Sequence, residues 1–429
     1  MRHKTLDAWL AWQETLNPRG IELGLDRVRR VLAALDLENP PYRVLTIAGT
    51  NGKGSVASFA ASILQSAGMR TGRYLSPHLL KYNERVAIDG VEADDAQLCA
   101  AFDIVDRARG DEPLTYFEFG TLAALEIFRQ REVAVAVLEV GLGGRLDAVN
   151  AIDADVAAVV SVGLDHVDWL GSEIDGIARE KAGIFRFGRP AIFGSRNLPK
   201  AIASEAERIG APLAAFGHDF HCERRDGTWS WRAPRRMIDD LPPPPLTGAH
   251  QFANASTAIA AVLALEPSLP ADTVRAGVAA THLAGRLQSL SLPGAREIIV
   301  DVGHNPDAAA HIAEYLLANP KPTVAVLAML ADKDAPGFVR ELVPLVDDWH
   351  LATLEGSRGQ DAESLERRFR DAGLELATRR HASVAEAAEA AIAQSLPGER
   401  VLVLGSFHTV AAFLLYFEAL GGKPPGPHT

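Results

Sequence analysis

The stretch VLTIAGTNGKGSVASFAASIL, Val44 to Leu64, joins an apolar run to small and apolar residues at helical spacing, through three glycines grouped around Lys53. A buried strand, a glycine turn and a helix N-terminus in succession leave backbone amides free beside the positive end of the helix. Together they favour a bound phosphate. The common phosphate-loop pattern places four residues between its first glycine and a Gly-Lys pair, with Ser or Thr directly after the lysine. Here only Thr50 and Asn51 separate Gly49 from Gly52, and Gly54 stands between Lys53 and Ser55. By itself the segment reads as a variant phosphate cradle or as a plain strand-to-helix turn, with Lys53 expected in an exposed loop.

Working outward, runs of the same kind recur: YRVLTIAG, VAVAVLEVG, DVAAVVSVG and RPAIFGS in the first two thirds of the chain. Continuous apolar strands separated by helical patterns imply a parallel sheet covered on both faces. REIIVDVGHN, TVAVLAML, DDWHLATLE and RVLVLGSFHTV form a second series, spaced by helical stretches such as SVAEAAEAAIAQSL. The fold class is therefore α/β with two domains, the second smaller than the first. Between the series, HCERRDGTWSWRAP predicts a hairpin about Asp226-Gly227 and LPPPPL a stiff surface segment. The helical run HQFANASTAIAAVLAL completes the first domain, so the division is expected at 1–283 and 284–429. The tail GGKPPGPHT is expected to be disordered.

At 429 residues the chain exceeds the roughly 250–300 residues at which one core stops growing, which also favours two domains. The net charge of -12 argues against a nucleic-acid partner, since that would need a dominant basic face. Cys99 and Cys222 lie far apart, with no disulfide or metal-knuckle spacing, and read as packing residues in a reducing compartment. MRHKTLDAWLAWQETL lacks the features of a signal peptide, and no apolar run reaches about 18 residues. A cytoplasmic protein without membrane partners is expected.

In open parallel sheets, ligands sit beyond the carboxyl ends of the strands. Polar residues at those positions are Ser76 in SPH after GRYL, Glu139 after VAVAVL, and Asp165-His166 after AVVSVGL. A serine, a carboxylate and an imidazole near the Lys53 loop have the chemistry to hold a divalent metal at nucleotide phosphates. Each also has a plain structural reading: a turn, a strand-end cap, a satisfied loop histidine. Glu180 and Lys181 in IAREKAGIF most simply form a solvated helix end. In the second series Asp301, His304 and Asn305 follow one strand, with Ser406 and His408 following another, and two facing domains would leave a cleft in which they meet the first set.

The motifs GTNGKGS, SPHL, YFEFGTLAAL, LEVGLGGRLDAVN, DHVDWLG, REKAGIF, GRLQ, DVGHNP and GSFHTV occur in an order that closely resembles the dihydrofolate synthase/folylpolyglutamate synthase family of the Mur ligase superfamily. The match runs from about Leu23 to Phe413. The resemblance implies a P-loop ATPase-like parallel-sheet domain of the Mur ligase central type, followed by a smaller Rossmann-like domain that closes over the active site. It implies a ligase that uses ATP and Mg2+ to convert a substrate carboxylate to an acyl phosphate, which the amine of L-glutamate attacks. The implied substrates are dihydropteroate and reduced folates, with one ATP site serving both. On this resemblance Asn51, Gly52, Lys53, Gly54 and Ser55 bind the phosphates, and Ser76, Glu139 and His166 ligate magnesium. Lys181 matches a lysine carried as a carbamate, which would turn a misplaced cation into a metal ligand. Asn254, Arg286 and Asp301 match ATP contacts, and His304 beside them is a conceivable base. Glu22, Leu23, Gly24, Thr115, Tyr116, Phe117, Glu118, Leu146 and Asp147 match pterin contacts, with Phe117 suited to stack on a flat heterocycle. Ser55 in place of the commoner threonine keeps the hydroxyl, and Gly303 replaces a usual alanine.

Competing readings are a folylpolyglutamate synthase without the first activity, a cell-wall Mur ligase and a non-ligating ATP switch. A switch has no need of the metal and pterin residues, and the cell-wall enzymes are expected to carry a further N-terminal domain ahead of the phosphate loop. The enzyme is expected to act as a monomer.

Overall fold

The computed structural model describes residues 2–17, 22–291 and 297–422. Two compact units are found: Met1–Pro245 with Phe252–Thr281, and Leu246–Gln251 with His282–Thr429. The short segment 246–251 thus belongs with the second unit, although it includes the first two residues of the helix His250–Leu265, the rest of which lies in the first. The tail beyond residue 422, where disorder is expected, lies outside the described residues.

The first unit is built on β1 (Arg43–Ala48), β2 (Thr71–Tyr74), β3 (Val86–Ile88), β4 (Val91–Glu92), β5 (Val135–Glu139), β6 (Val156–Val159), β7 (Ala191–Phe193) and β8 (Leu213–Ala215). They lie in the order β4-β3-β2-β5-β1-β6-β7-β8. The six strands from β2 to β8 in that order run parallel, while β3 and β4 close one edge antiparallel. Every residue of β5 and β6 is buried, as expected for strands covered on both faces. Central β1 sits between β5 and β6, so the chain leaving it enters the helix Lys53–Ser66 at the middle of the sheet.

That helix is buried on nearly all sides, which its small residues permit. Its closest neighbour is the helix Ala271–Ala279, where a Cβ on Gly277 would stand 2.4 Å from the Ile63 Cα. Ser62 Oγ donates to the Gly277 carbonyl at 2.7 Å. A separate antiparallel sheet of β9 (His221–Arg225), β10 (Thr228–Ala233) and β11 (Arg236–Leu241) follows. Its first turn contains Asp226 and Gly227, the latter at φ +74°, as the hairpin reading requires. Trp231 Nε1 donates to the Ser256 carbonyl at 3.1 Å and ties this sheet to the helix His250–Leu265.

The second unit holds β12 (Gln288–Ser291), β13 (Glu297–Asp301), β14 (Thr323–Leu327), β15 (Asp348–Ala352), β16 (Thr378–His381) and β17 (Arg400–Leu404). The order is β12-β13-β17-β14-β15-β16, parallel except for β12. Arg400 is fully buried, with its Nε donating to Glu297 Oε2 at 3.0 Å. Among the described residues no helix is long and apolar enough to cross a membrane.

Gly277→Ala is expected to cost about 1–3 kcal/mol by forcing the two helices apart, seen as a lower urea midpoint. An unchanged midpoint would show that the close approach is not needed.

Candidate active site

The chain turns from β1 into its helix over four residues, two of them glycines. A Cβ at Gly49 would meet Val160 Cβ at 3.1 Å, and one at Gly52 would meet Asn254 Oδ1 at 2.8 Å. Gly52 also sits at φ +82° as the helix N-cap, a conformation that disfavours side chains. The turn is braced by the segment after β6. Thr50 Oγ1 donates to the Gly163 carbonyl at 3.1 Å, and Asn51 N donates to Ser161 Oγ at 2.9 Å. Lys53 is the first helical residue and is half-buried, not an exposed loop residue as the sequence suggested. Its Nζ donates to the carbonyls of Gly49 and Thr50 at 3.1 and 3.2 Å, so the ammonium is held over the loop.

Other sequence candidates gather at the same carboxyl end of the sheet. Glu139 ends β5 beside Ile47 of β1, is buried, and its Oε2 accepts from the Ser76 backbone N at 3.1 Å. His166 follows β6 in a left-handed conformation, with Nε2 3.9 Å from Asp165 Oδ2. The loop GLGGRLD packs on the helix Ile174–Ala182, where a Cβ on Gly144 would meet the carbonyls of Glu180 and Lys181 at 2.8 and 3.0 Å. This contact separates the two charges of the EK pair. Glu180 lies outward and pairs with Arg145 at 2.7 Å, whereas Lys181 turns inward and is 3% exposed. The solvated-helix-end reading therefore holds for Glu180 and fails for Lys181.

Burial, reinforced by nearby Lys53, lowers the Lys181 amine to about 7, with Asp165 and Asp147 opposing the shift. Asp147 is pushed up to about 7 by burial, against the pull of backbone donors and Lys53. Its oxygens accept from Leu142 N at 2.8 Å and Val149 N at 3.0 Å. Lys53, Asp147, Asp165 and Lys181 thus feel one another's charge across one small region. Among the described residues, no three His, Cys, Asp or Glu side chains form a metal cluster. A hard cation here would draw ligands from Glu139, His166, hydroxyls and ligand phosphates, the mixed set usual for magnesium at a nucleotide.

The predicted pterin residues lie on the other side of the same loop. Gly24 N donates to the Leu146 carbonyl at 3.3 Å. Glu22 pairs with Arg27 at 3.1 Å, and Arg27 pairs with buried Glu118 at 2.9 Å. Glu118 and Thr115 form the capping box of the helix Tyr116–Gln130. The Phe117 ring lies on Gly141, where a Cβ would stand 2.7 Å from its Cζ. Tyr116 faces the guanidinium of Arg85, 5.5 Å from its ring centre, and Leu23 is half-buried. Gly54 and Ser55 are buried in the helix, and Asn254 touches Gly52 as described.

In the second unit Asp301 Oδ2 and Oδ1 accept from Leu287 N and Gly303 N at 2.8 and 2.7 Å. Burial raises the pKa of its carboxyl group, and Arg286 and His304 oppose that rise. His304 Nδ1 lies 3.0 Å from the Val302 carbonyl, and Arg286 stacks over Phe407 at 5.3 Å. These three form a cluster of their own. Sequence reading named Asp165 only beside His166 and missed its coupling to Lys181. It also missed Arg27, which joins two predicted pterin residues, because a lone helical arginine carries no signal of its partners.

Two family models match in order: the Mur ligase middle domain over residues 47–262 and the Mur ligase glutamate ligase domain over 285–407. The chain is 43% identical to dihydrofolate synthase/folylpolyglutamate synthase of Escherichia coli K12 over 97% of each chain. It is similar to the structure of E. coli FolC in complex with DHPP and ADP, with TM-score 0.91, 43% identity and coverage of 97% of this chain and 98% of that one. A bifunctional folylpolyglutamate synthase/dihydrofolate synthase with Mn, AMPPNP and L-glutamate bound gives TM-score 0.90 and 41% identity at the same coverage. With this identity along nearly its whole length and both Mur ligase domains in sequence, the chain belongs to the dihydrofolate synthase/folylpolyglutamate synthase family of Mur ligases.

Proposed function

We propose that this chain is an ATP-dependent ligase that joins L-glutamate to dihydropteroate and adds further glutamates to reduced folates. The carrying observation is the convergence of the Gly49–Lys53 turn, Ser76, Glu139, His166 and inward-facing Lys181 at one end of one sheet. Relatives bound to ADP, to AMPPNP with Mn, and to L-glutamate support the reading.

A carboxylate oxygen of the acceptor attacks the γ-phosphorus of ATP, the bond to ADP breaks, and an acyl phosphate forms. The amine nitrogen of glutamate then attacks the acyl carbon, phosphate leaves and an amide remains. Both partners in the first step are anions, so positioning and charge neutralisation are the main tasks. Lys53 and the loop amides would meet the phosphates, with Asn254 beside Gly52 contacting the nucleotide. Ser76, Glu139, His166 and Lys181 would hold magnesium, which supplies positive charge to the phosphates when bound. In the second unit Arg286 and Asp301 are assigned to ATP. His304 is assigned as the base that takes the proton from glutamate's amine: if neutral, an imidazole donating through Nδ1 keeps its lone pair on Nε2. Glu22, Leu23, Gly24, Thr115, Tyr116, Phe117, Glu118, Leu146 and Asp147 are assigned to the pterin end. We also infer a cytoplasmic monomer acting on small molecules and not on nucleic acid, in keeping with its net charge of -12.

Lys53→Ala should lower kcat at least about a hundredfold with both dihydropteroate and tetrahydrofolate, while thermal unfolding shifts little. A loss below about tenfold, some 1.4 kcal/mol of barrier, would remove Lys53 from the site.

Lys181 is assigned as a carbamate, since an inward lysine 3% exposed lies among proposed metal ligands. Lys181→Ala should lose activity and regain part of it when acetate or propionate fills the gap. Labelling with 13C-bicarbonate should give a carbamate resonance in the parent and none in the variant; a parent without it would overturn the assignment.

A further inference from the structure

Leu164, Val167, Trp169 and Ile174 are each 40–49% exposed, four large apolar side chains within an eleven-residue segment. Contiguous exposed apolar surface is a mark of binding sites. The segment begins next to His166, which caps the one-turn helix Val167–Leu170. Leu170 is the exception to its exposure: it packs on the glycine loop, with Cδ2 3.1 Å from where a Gly143 Cβ would stand. That contact anchors the turn to the loop bearing Leu146 and Asp147, and leaves Val167 and Trp169 outward.

We infer that Trp169, flanked by Val167, is a substrate-contacting residue that packs on the benzoyl ring of dihydropteroate when its carboxylate is at the phosphates. The inference rests on the ligase reading above. In dihydropteroate the reacting carboxyl carbon is bonded directly to the benzoyl ring. A carboxylate placed at the site of His166 therefore brings the ring to its immediate surroundings. Trp169 lies three residues along the same helical turn, a rise of about 5 Å, well within reach of an indole. A reduced folate reacts through the side-chain carboxylate of its glutamate instead, so its ring is withdrawn by the length of that residue. Trp169 then distinguishes the two acceptors: it supports the first glutamylation and contributes little to later ones. An indole stacked on a phenyl ring gains from both its area and its quadrupole.

The test is steady-state kinetics of the parent, Trp169→Ala and Trp169→Phe with each acceptor, together with KM for ATP and the thermal midpoint. Trp169→Ala should raise KM for dihydropteroate about tenfold and KM for tetrahydrofolate less than about threefold, with the phenylalanine variant close to the parent. KM for ATP and the midpoint should stay near parental values. Equal changes with both acceptors, no change with dihydropteroate, or a matching rise in KM for ATP would each overturn the inference. So would a lowered midpoint accompanied by loss in every assay. A parent inactive with both acceptors would instead refute the ligase reading.

Discussion

The first unit's site depends on the close approach of two backbones: the Gly49–Gly52 turn after β1 and the segment after β6 that carries Val160 and Ser161. Side chains at either glycine would collide with Val160 or Asn254. The hydrogen bonds from Thr50 and Asn51 then fix the turn against residues 161–163. Because β1 is flanked by β5 and β6, the same approach sets Lys53 near the strand ends that bear Glu139 and His166. A turn held this way is preorganised, so its dipoles and amides need little rearrangement when charge develops on a phosphate.

An acidic chain that handles polyanions must concentrate positive charge locally. Two lysines lie here in different environments, and Lys53 is the one suited to that task. Lys53 is satisfied by loop carbonyls, which in its proposed role it would exchange for phosphate oxygens. Lys181 is buried and crowded by that first charge, which disfavours its ammonium. Opposite them, Asp147 is held by backbone donors yet raised by burial, in the GLGGRLD loop that also carries Leu146, one of the residues proposed for the pterin end. The charge pattern and the geometry of that loop are therefore one problem, solved by Gly144 lying against the helix that turns Lys181 inward.

Much of this was legible in the chain. Runs such as VAVAVLEVG were readable as buried parallel strands because they lack polar alternation, and polar residues at their ends follow from the sheet's direction. The edge strands β3, β4, β12 and β16 were not, since short strands with exposed positions such as Val91 or Arg379 leave no periodic pattern. The inward turn of Lys181 was also invisible: adjacent residues of a helix end differ in burial only through what packs on them, here the loop of Gly144, far earlier in the chain. The spacing of the glycine turn was ambiguous for a related reason. The shortened pattern admits two uses, and the family resemblance rather than local spacing separated them.

The chemistry assigned to this frame passes through a mixed anhydride in which an oxygen of the acceptor carboxylate becomes part of the departing phosphate. Dihydropteroate labelled with 18O in its carboxylate, turned over with ATP and L-glutamate, tests this directly by mass spectrometry of the products. One 18O atom should appear in each released phosphate and one in the new amide. Unlabelled phosphate, with both atoms of label elsewhere, would contradict acyl-phosphate formation and with it the use proposed for the Lys53 turn.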